Sequence, residues 1–167
     1  TAHYLTHSLY PLKDGDSCLI HAGAGGMGQL AIQLAKMRGA KVLVTVGSAE
    51  KAEIAKTRGA DHAILYRDVD FAEAVRDITN GEGVNVVYDS VGKDTIRQSI
   101  KCLKPRGVLS NNGNASGPIR ALDPLDLAEA GSVFFTRPHL ADYIPTPEAR
   151  AERSQDLYRL YGEGRLT

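Results

Sequence analysis

The glycine-rich turn at residues 21–28 is the segment whose residue types and spacing point most directly to chemistry. It reads His-Ala-Gly-Ala-Gly-Gly-Met-Gly, so that Gly23, Gly25 and Gly28 form a G-x-G-x-x-G pattern. The pattern follows a predicted strand and opens a predicted helix, the context in which backbone N–H groups and the helix dipole bind a pyrophosphate. The residues predicted to contact the phosphates are Ala24, Gly25, Gly26, Met27 and Gly28.

Each glycine of the pattern has an expected task. Gly23 is expected to permit the sharp turn, Gly25 to let the backbone approach the phosphates, and Gly28 to pack the helix against the strand. A tight turn that binds no ligand is the alternative explanation of the same three glycines.

The end of the second predicted strand bears on the choice between NADH and NADPH. A site for NADH usually has Asp or Glu there, because a carboxylate accepts the ribose hydroxyls and repels a 2′-phosphate. Here the strand ends at Gly47 and Ser48, although Glu50 is close enough in sequence to keep NADH open. The sequence therefore favours NADPH.

Basic residues near this strand end could bind the 2′-phosphate. Ser48 is the predicted N-cap of the next helix, which places Lys51 near its third position, where the helix dipole disfavours a cation that has no anionic partner. We expect Lys51 and Ser48, with Arg67, to bind the phosphate, and Tyr66 to lie against the adenosine. A solvated lysine loosely paired with Glu50 is the alternative.

Two further turns follow the fourth and fifth predicted strands, where a sheet of this class holds the nicotinamide half of a dinucleotide. The candidate contacts in them are Ser90, Val91, Asn112, Gly113 and Asn114. Ordinary turns that use Asn, Gly and Ser for backbone freedom explain the same residues. Asp89, which ends the fourth strand, is expected to accept hydrogen bonds rather than to act as a general base.

Neither a metal site nor a set of catalytic residues is identified. The histidines at positions 3, 7, 21, 62 and 139 have no metal-like spacing with another ligand on one predicted face, so no metal is expected. The chain has no Tyr-x-x-x-Lys pair, which removes the acid/base arrangement of short-chain dehydrogenases.

The elements that must position these residues alternate between short β-branched runs and longer runs of helical period, the pattern of βαβ units. We predict a doubly wound, six-stranded parallel α/β sheet of the Rossmann type with helices on both faces. The predicted strands are Cys18–His21, Val42–Val46, His62–Leu65, Val84–Tyr88, Val108–Ser110 and Val133–Phe135.

Four helices are predicted in detail. The first presents Met27, Leu30, Ala31, Leu34 and Ala35 to the sheet and ends at Gly39. Asp70 and Glu73 form a capping-box signature for another helix. A third buries Ile96, Ile100 and Leu103 and stops before Pro105, and the last starts at Thr146 and Pro147 and carries Leu157, Leu160 and Tyr161.

The composition narrows the function classes. With 167 residues the chain is expected to form one domain, and its 20 acidic and 20 basic residues offer no general attraction to nucleic acid or to a membrane surface. Cys18 and Cys102 stand far apart in no metal or redox motif, which suits a reducing cytoplasm. No apolar run is long enough to span a membrane.

Taken together, these segments resemble the zinc-independent quinone oxidoreductase branch of the medium-chain dehydrogenase/reductase superfamily, over essentially the whole chain. Met27 replaces the family's usual Val, and Asn112 stands where several relatives have an aromatic residue. The segments that carry the resemblance are 10–16, 21–28, 45–48 with Lys51, 66–67, 87–92, 113–117 and 136–138.

The resemblance implies NADPH binding through Gly47, Lys51 and Tyr66, and reduction of quinones or related enones. It also implies that residues 1–167 are the NADPH-binding domain of a longer protein, without the N-terminal GroES-like domain that builds the substrate cleft and without the C-terminal return segment. We therefore expect binding with little turnover, and a homodimer through the sixth strand. An enoyl reductase of the same superfamily and a non-catalytic NADPH sensor remain alternatives, and a methyltransferase is less well supported because no acidic residue ends the second strand.

Overall fold

A computed structural model describes all residues 1–167 as a six-stranded, fully parallel sheet with helices packed on it. The strand order is β3-β2-β1-β4-β5-β6, which reverses direction between β1 and β4 and confirms the predicted doubly wound fold. The strands are β1 Ser17–Ile20, β2 Lys41–Val46, β3 His62–Leu65, β4 Val84–Asp89, β5 Leu103–Asn111 and β6 Phe134–Thr136.

Eight α-helices and one π-helical segment, Leu5–Leu9, connect or cover these strands. The longest helix has 16 residues, and no helix is both long and apolar enough to cross a membrane. The helices are α1 Ala2–Tyr4, α2 Gly26–Met37, α3 Ala49–Thr57, α4 Phe71–Ile78, α5 Ile96–Lys101, α6 Pro124–Glu129, α7 Leu140–Tyr143 and α8 Pro147–Gly162.

The central strands are buried on both faces, which is why they read as continuous apolar runs instead of alternating ones. Cys18 and Ile20 of β1 enter one core and Leu19 enters the other. The two cysteines are free and buried in different cores, Cys18 in the first and Cys102 in the second.

Local signals set most helix ends as predicted. Gly39 follows the end of α2 with a φ of 79°, and the Asp70 carboxylate accepts hydrogen bonds from the N–H groups of Ala72 and Glu73 at 2.8 and 3.1 Å. Thr146 caps α8 by accepting from the Ala149 N–H, with Pro147 in the first turn.

One predicted core position is wrong, and one of the residues predicted for the last helix lies outside the core. Leu30 of α2 is 38% exposed, because Ile32 rather than Leu30 belongs to the buried face together with Ala31 and Leu34. Tyr161 of α8 is 69% exposed, and Leu160 is the residue of that helix that enters the core.

The fifth strand starts earlier than predicted. Leu103 pairs with Val84 as the first residue of β5 instead of ending the preceding helix. Pro105 has no N–H to donate to the neighbouring strand, yet it does not stop β5. The strand tolerates it because the pairing register with β4 shifts nearby and Arg106 adopts a left-handed conformation with φ of 61°. The sixth strand begins and ends one residue later than predicted. Val133, the predicted first residue, is buried just ahead of it.

Candidate dinucleotide-binding site

The glycine-rich turn lies between β1 and α2, beside the point where the strand order reverses. Its left-handed residue is Ala22, with φ of 54°, so the sharp turn does not depend on Gly23 as predicted. Gly23 is required for close packing instead: a Cβ there would lie 2.6 Å from the Cβ of Val44 on β2. Gly28 has its predicted role, because a Cβ on it would meet the carbonyl oxygens of Ala22 and Gly23.

The first turn of α2 offers unpaired donors at the carboxyl edge of the sheet. The N–H groups of Gly26, Met27 and Gly28 have no acceptor within the chain, while Gln29 begins the helical ladder by donating to the Gly25 carbonyl at 2.8 Å. The space where a side chain of Gly26 would stand is open. Orphan donors with open space in front of them and a helix dipole behind them suit a pyrophosphate.

The end of β2 leads to the predicted 2′-phosphate residues. Ser48 caps α3 by accepting a 3.3 Å hydrogen bond from the Lys51 N–H, which places Lys51 in the first turn as predicted. Tyr66 and Arg67 lie above Gly47: a Cβ on this glycine would lie 3.0 Å from the Tyr66 hydroxyl and 3.5 Å from Arg67 Nε. Gly47 therefore lets two side chains from the end of β3 approach the end of β2.

The two basic residues at this corner are not paired with a carboxylate. Neither Lys51 nor Arg67 forms an ion pair, and the alternative pairing of Lys51 with Glu50 is not present. Lys51, Tyr66 and Arg67 are all exposed, so they are free to contact a ligand that sits on the strand ends.

The turns after β4 and β5 are packed against each other. The Ala115 N–H donates to the Ser90 carbonyl at 3.2 Å, and Ser116 donates to the Val91 carbonyl through both its N–H and its hydroxyl, each at 2.9 Å. A Cβ on Gly113 would lie 2.9 Å from the Cα of Ser90, so only glycine allows this approach. The structure thus brings together the residues predicted for the nicotinamide side.

Asn112 and Asn114 have different environments at this edge. The Asn112 N–H donates to the Asp89 carbonyl at 2.8 Å, while its side-chain oxygen Oδ1 is buried without any donor. Asn114 is exposed. An orphaned buried acceptor is costly unless a ligand supplies the donor, and a nicotinamide carboxamide has such a donor.

Asp89 has the structural role expected for it. Its Oδ1 accepts from the N–H groups of Val91 and Gly92, both at 2.9 Å, and its carboxylate also accepts from the hydroxyls of Thr95 and Ser99. The side chain is fully buried. These bonds fix the turn after β4, which holds Ser90 and Val91 in place.

A row of buried, hydrogen-bonded polar side chains lies beneath the site and was not predicted from the sequence. His21 Nε2 lies 2.9 Å from the Ser99 hydroxyl, and His21 Nδ1 lies 2.7 Å from the Thr45 hydroxyl. Burial lowers the pKa of His21, with Asp89 acting in the opposite direction, and the lowered pKa favours the neutral imidazole. The position of His21 after a buried strand is the only sequence signal for this role.

The structure brings one group of possible metal ligands together, although no metal-like spacing of a histidine with another ligand on one predicted face was identified from the sequence. His3, His7 and Asp156 offer ligand atoms within 4.8 Å of one another. His3 Nε2 is hydrogen-bonded to Asp156 Oδ2 at 3.0 Å, and Arg153 donates to His3 Nδ1 at 3.2 Å. These bonds occupy His3 fully, and the Arg153 guanidinium repels a cation.

The chain is similar to known proteins in both sequence and fold. The family model described as zinc-binding dehydrogenase matches residues 26–141. The candidate site does not provide zinc ligands, because its polar side chains at the ends of β4 and β5 are Ser and Asn apart from Asp89, whose oxygens are already hydrogen-bonded.

Individual relatives cover nearly the whole chain. A 2-haloacrylate reductase from Burkholderia is 48% identical over 161 residues, which are 95% of this chain and 48% of that protein. A quinone oxidoreductase from Salmonella typhimurium is 46% identical over 164 residues, which are 98% of this chain and 50% of that protein.

Solved structures agree with this similarity. The crystal structure of Escherichia coli quinone oxidoreductase complexed with NADPH has a TM-score of 0.96 and 42% sequence identity, and the match covers 99% of this chain and 51% of that one. The chain therefore spans about half the length of the relatives it matches.

Proposed function

Because this chain belongs to the quinone oxidoreductase branch of the zinc-binding dehydrogenase family, we propose that it binds NADPH and forms the cofactor wall of a quinone-reducing enzyme. The observation that carries the proposal is the set of unpaired N–H groups at Gly26, Met27 and Gly28, directly behind β1 at the switch point of the sheet. The NADPH bound by the E. coli relative supports the choice of cofactor.

The adenosine half of the cofactor would lie across the ends of β2 and β3. Lys51 and Arg67 would bind the 2′-phosphate, with Ser48 as a further donor, and Tyr66 would pack against the adenosine. The absence of a carboxylate at Gly47 and Ser48 removes the usual partner of the NADH ribose. One charge-assisted hydrogen bond from Lys51 corresponds to a preference for NADPH of about 1.5 to 3 kcal/mol.

The nicotinamide half would lie against the turns after β4 and β5. Asn112 Oδ1 would accept from the carboxamide, and Ser90, Val91, Gly113 and Asn114 would line the ring. When bound, NADPH supplies the hydride. The residues of this chain orient the ring and exclude water from one of its faces.

The direct test is a titration of this chain with NADPH and with NADH by isothermal calorimetry. We expect NADPH to bind at least tenfold more tightly than NADH. A failure of both nucleotides to bind would refute the proposal, and tighter binding of NADH would refute the assignment of the 2′-phosphate contacts.

Turnover is expected to need more than this chain. Hydride transfer requires the nicotinamide and the acceptor to be held together in reactive geometry, and the matched half of the relatives corresponds to a single Rossmann domain. We therefore infer that a second domain, outside residues 1–167, supplies the opposite wall of the substrate cleft. A quinone-dependent NADPH oxidation assay on this chain should give little activity above background.

An enoate or enone reductase is the second candidate. The Burkholderia relative is named for the reduction of 2-haloacrylate, and its identity to this chain is no lower than that of the quinone oxidoreductase. A non-catalytic NADPH sensor would share the same cofactor site. Assays of the longer protein with quinones, 2-enoyl thioesters and 2-haloacrylate would separate the three, since a sensor would reduce none of them.

We also propose that the domain forms a homodimer through β6. This strand is at one edge of the sheet, with pairing to β5 on one side only, and Phe134 on it is 62% exposed. Such an edge can pair with a second copy. Light scattering should give a dimer for this chain and a monomer for Phe134→Lys; a monomeric wild type would contradict the proposal.

A further inference from the structure

A cavity of about 280 Å³ lies beyond the carboxyl ends of β5 and β6. It begins at Asn111, the last residue of β5, and includes Asn114, which belongs to the candidate nicotinamide side. Ligands of open α/β sheets bind outside the carboxyl ends of the strands, so the position is that of a ligand next to the cofactor. The remaining lining residues are Pro118, Ile119, Arg120, Ala121, Leu122, Phe135 and Arg137.

The charged residues of the cavity are both arginines. No Asp or Glu lines it, and neither Arg120 nor Arg137 forms an ion pair. Arg137 uses one N–H for the carbonyl of Pro138, at 3.3 Å, and Arg120 makes no hydrogen bond to protein. The chain as a whole carries no net charge, so the two arginines are a local excess of positive charge.

Other arginines of the chain use their guanidinium donors for hydrogen bonds within the protein. Arg76 donates to three backbone carbonyls, and Arg153 donates to Tyr143, Ser8 and His3. Arg120 and Arg137 lack such partners and keep most of their donors available. The planar fork of a guanidinium matches a carboxylate in two parallel hydrogen bonds.

Apart from the two arginines and the two asparagines, the lining of the cavity is apolar. Ile119, Leu122 and Phe135 are partly buried and pack against the core that contains Leu109 and Val133. A ligand that used the whole cavity would place an anionic group at the arginines and hydrocarbon against these three side chains. This combination favours an organic acid over an inorganic anion, because phosphate gains nothing from the apolar wall.

We propose that this cavity binds the carboxylate of a small, partly apolar organic acid such as a 2-enoate. A role of this acid as the hydride acceptor rests on the proposed NADPH function. The binding site itself does not. In that context Arg120 and Arg137 are specificity-determining residues that position an unsaturated acid beside the nicotinamide.

The test compares a charged probe with its neutral isostere. The 167-residue chain is titrated with 2-butenoate, 2-butenamide and inorganic phosphate, and binding is followed by amide NMR shifts of residues that line the cavity. We expect 2-butenoate to bind at least tenfold more tightly than either of the other probes, and Arg120→Gln and Arg137→Gln each to weaken it about tenfold. Arg97→Gln, an exposed arginine on α5 without an ion pair, is the matched control and should leave binding unchanged.

Separate outcomes decide the two proposals. Equal affinity for the acid and the amide, equal affinity for phosphate, or an equal loss in Arg97→Gln would overturn the carboxylate site. NADPH titration of the Arg120 and Arg137 variants should match the wild type. If 2-butenoate binds while NADPH does not, the cofactor proposal fails and the carboxylate site stands.

Discussion

His21 and Asp89 lie 3.9 Å apart, from Nε2 to Oδ2, at the carboxyl ends of the neighbouring strands β1 and β4, and Ser99 of α5 joins them. Ser99 donates its single hydroxyl hydrogen to Asp89 Oδ2 at 2.8 Å. His21 Nε2 must then donate to Ser99, which leaves Nδ1 to accept from Thr45. The chain of bonds fixes the histidine tautomer and ties β1, β2, β4 and α5 together under the cofactor site.

Removing the Ser99 hydroxyl should destabilise the fold. Ser99→Ala leaves a buried N–H of His21 and one oxygen of Asp89 without this partner, which is expected to cost about 1 to 3 kcal/mol of unfolding free energy. Urea denaturation measures the loss. Ser154→Ala, at a half-buried residue of α8 whose hydrogen bond is exposed, removes a hydroxyl that bonds only the carbonyl of Arg150, and it should change stability by less than about 0.5 kcal/mol. Equal effects would show that the buried chain is not what stabilises this end of the sheet.

Gly28 should tolerate no side chain. Gly28→Ala would drive a Cβ into the carbonyl oxygens of Ala22 and Gly23, both backbone atoms that cannot move without opening the turn. We expect a loss of about 1 to 3 kcal/mol in unfolding free energy, together with weaker NADPH binding. Gly162→Ala at the end of α8 meets open space and should be neutral or slightly stabilising. Thermal melting and NADPH titration of both variants check this, and a wild-type melting temperature for Gly28→Ala would contradict the packing role.

The fold was predictable because its signals are local and repeated. Strands buried on both faces produce short β-branched runs, and α2 shows its period and its terminal glycine within one segment. The start of β5 was not predictable by the same means. Pro105 is a local stop signal, and only the pairing of Leu103 with Val84 and the left-handed Arg106 show how the strand continues through it.

The candidate site likewise has a part that local sequence signals predict and a part that they do not. The donors of α2 and the cap at Ser48 depend on residues close in sequence, so the glycine turn and Lys51 were found. The partners of His21 come from other elements, 24 and 78 residues away, and those of His3 lie about 150 residues away. No period or spacing within a single segment carries such information. Even within the turn, the left-handed residue is Ala22 and not the glycine that follows it. Gly23 is required for a different reason, which is the lack of space for a side chain beside Val44.

Lys51 should set the preference for the phosphorylated cofactor. Lys51→Ala is expected to weaken NADPH binding about tenfold to a hundredfold and to leave NADH binding nearly unchanged, because only NADPH has the 2′-phosphate. Calorimetric titration with both nucleotides measures the two constants. Lys56→Ala on the same helix, where the lysine pairs with Glu53, is the control and should alter neither constant. Equal losses for NADPH and NADH in Lys51→Ala would remove the 2′-phosphate assignment.

The thiols should be inert in the folded state. Cys18 and Cys102 are both buried, and burial raises the pKa of each thiol, that of Cys102 to about 12. Since the thiolate is the reactive form, neither cysteine should react with a disulfide reagent until the chain unfolds. The measurement is thiol labelling with and without denaturant. Fast labelling of the native chain would show that one of the two cores opens readily.

His7 should make the stability of the chain depend on pH. Its ring stacks on His3 with centroids 4.2 Å apart, and burial, followed by the charges of His3 and Arg38, lowers the pKa of His7 to about 4 against the attraction of Asp156. The unfolded chain has the ordinary histidine pKa of about 6.5, so between about pH 6.5 and 4 it binds more protons at this residue than the folded chain does. The contribution of His7 is therefore complete above pH 6.5 and is lost as the pH falls towards 4.

The variant His7→Gln removes this titration and keeps a polar side chain next to Thr6. Denaturation in urea at pH 7.5, 6.0, 5.0 and 4.5 should show the wild type losing more unfolding free energy than the variant. We expect a difference of about 1 kcal/mol at the lowest pH, reduced from the full linkage value because the ring is partly exposed. Burial also lowers the pKa of His21, so this residue makes stability depend on pH with the same sign in both the wild type and the variant. His139→Gln, at an exposed histidine, should follow the wild-type curve. Parallel curves for the wild type and His7→Gln would contradict the lowered pKa of this half-buried ring.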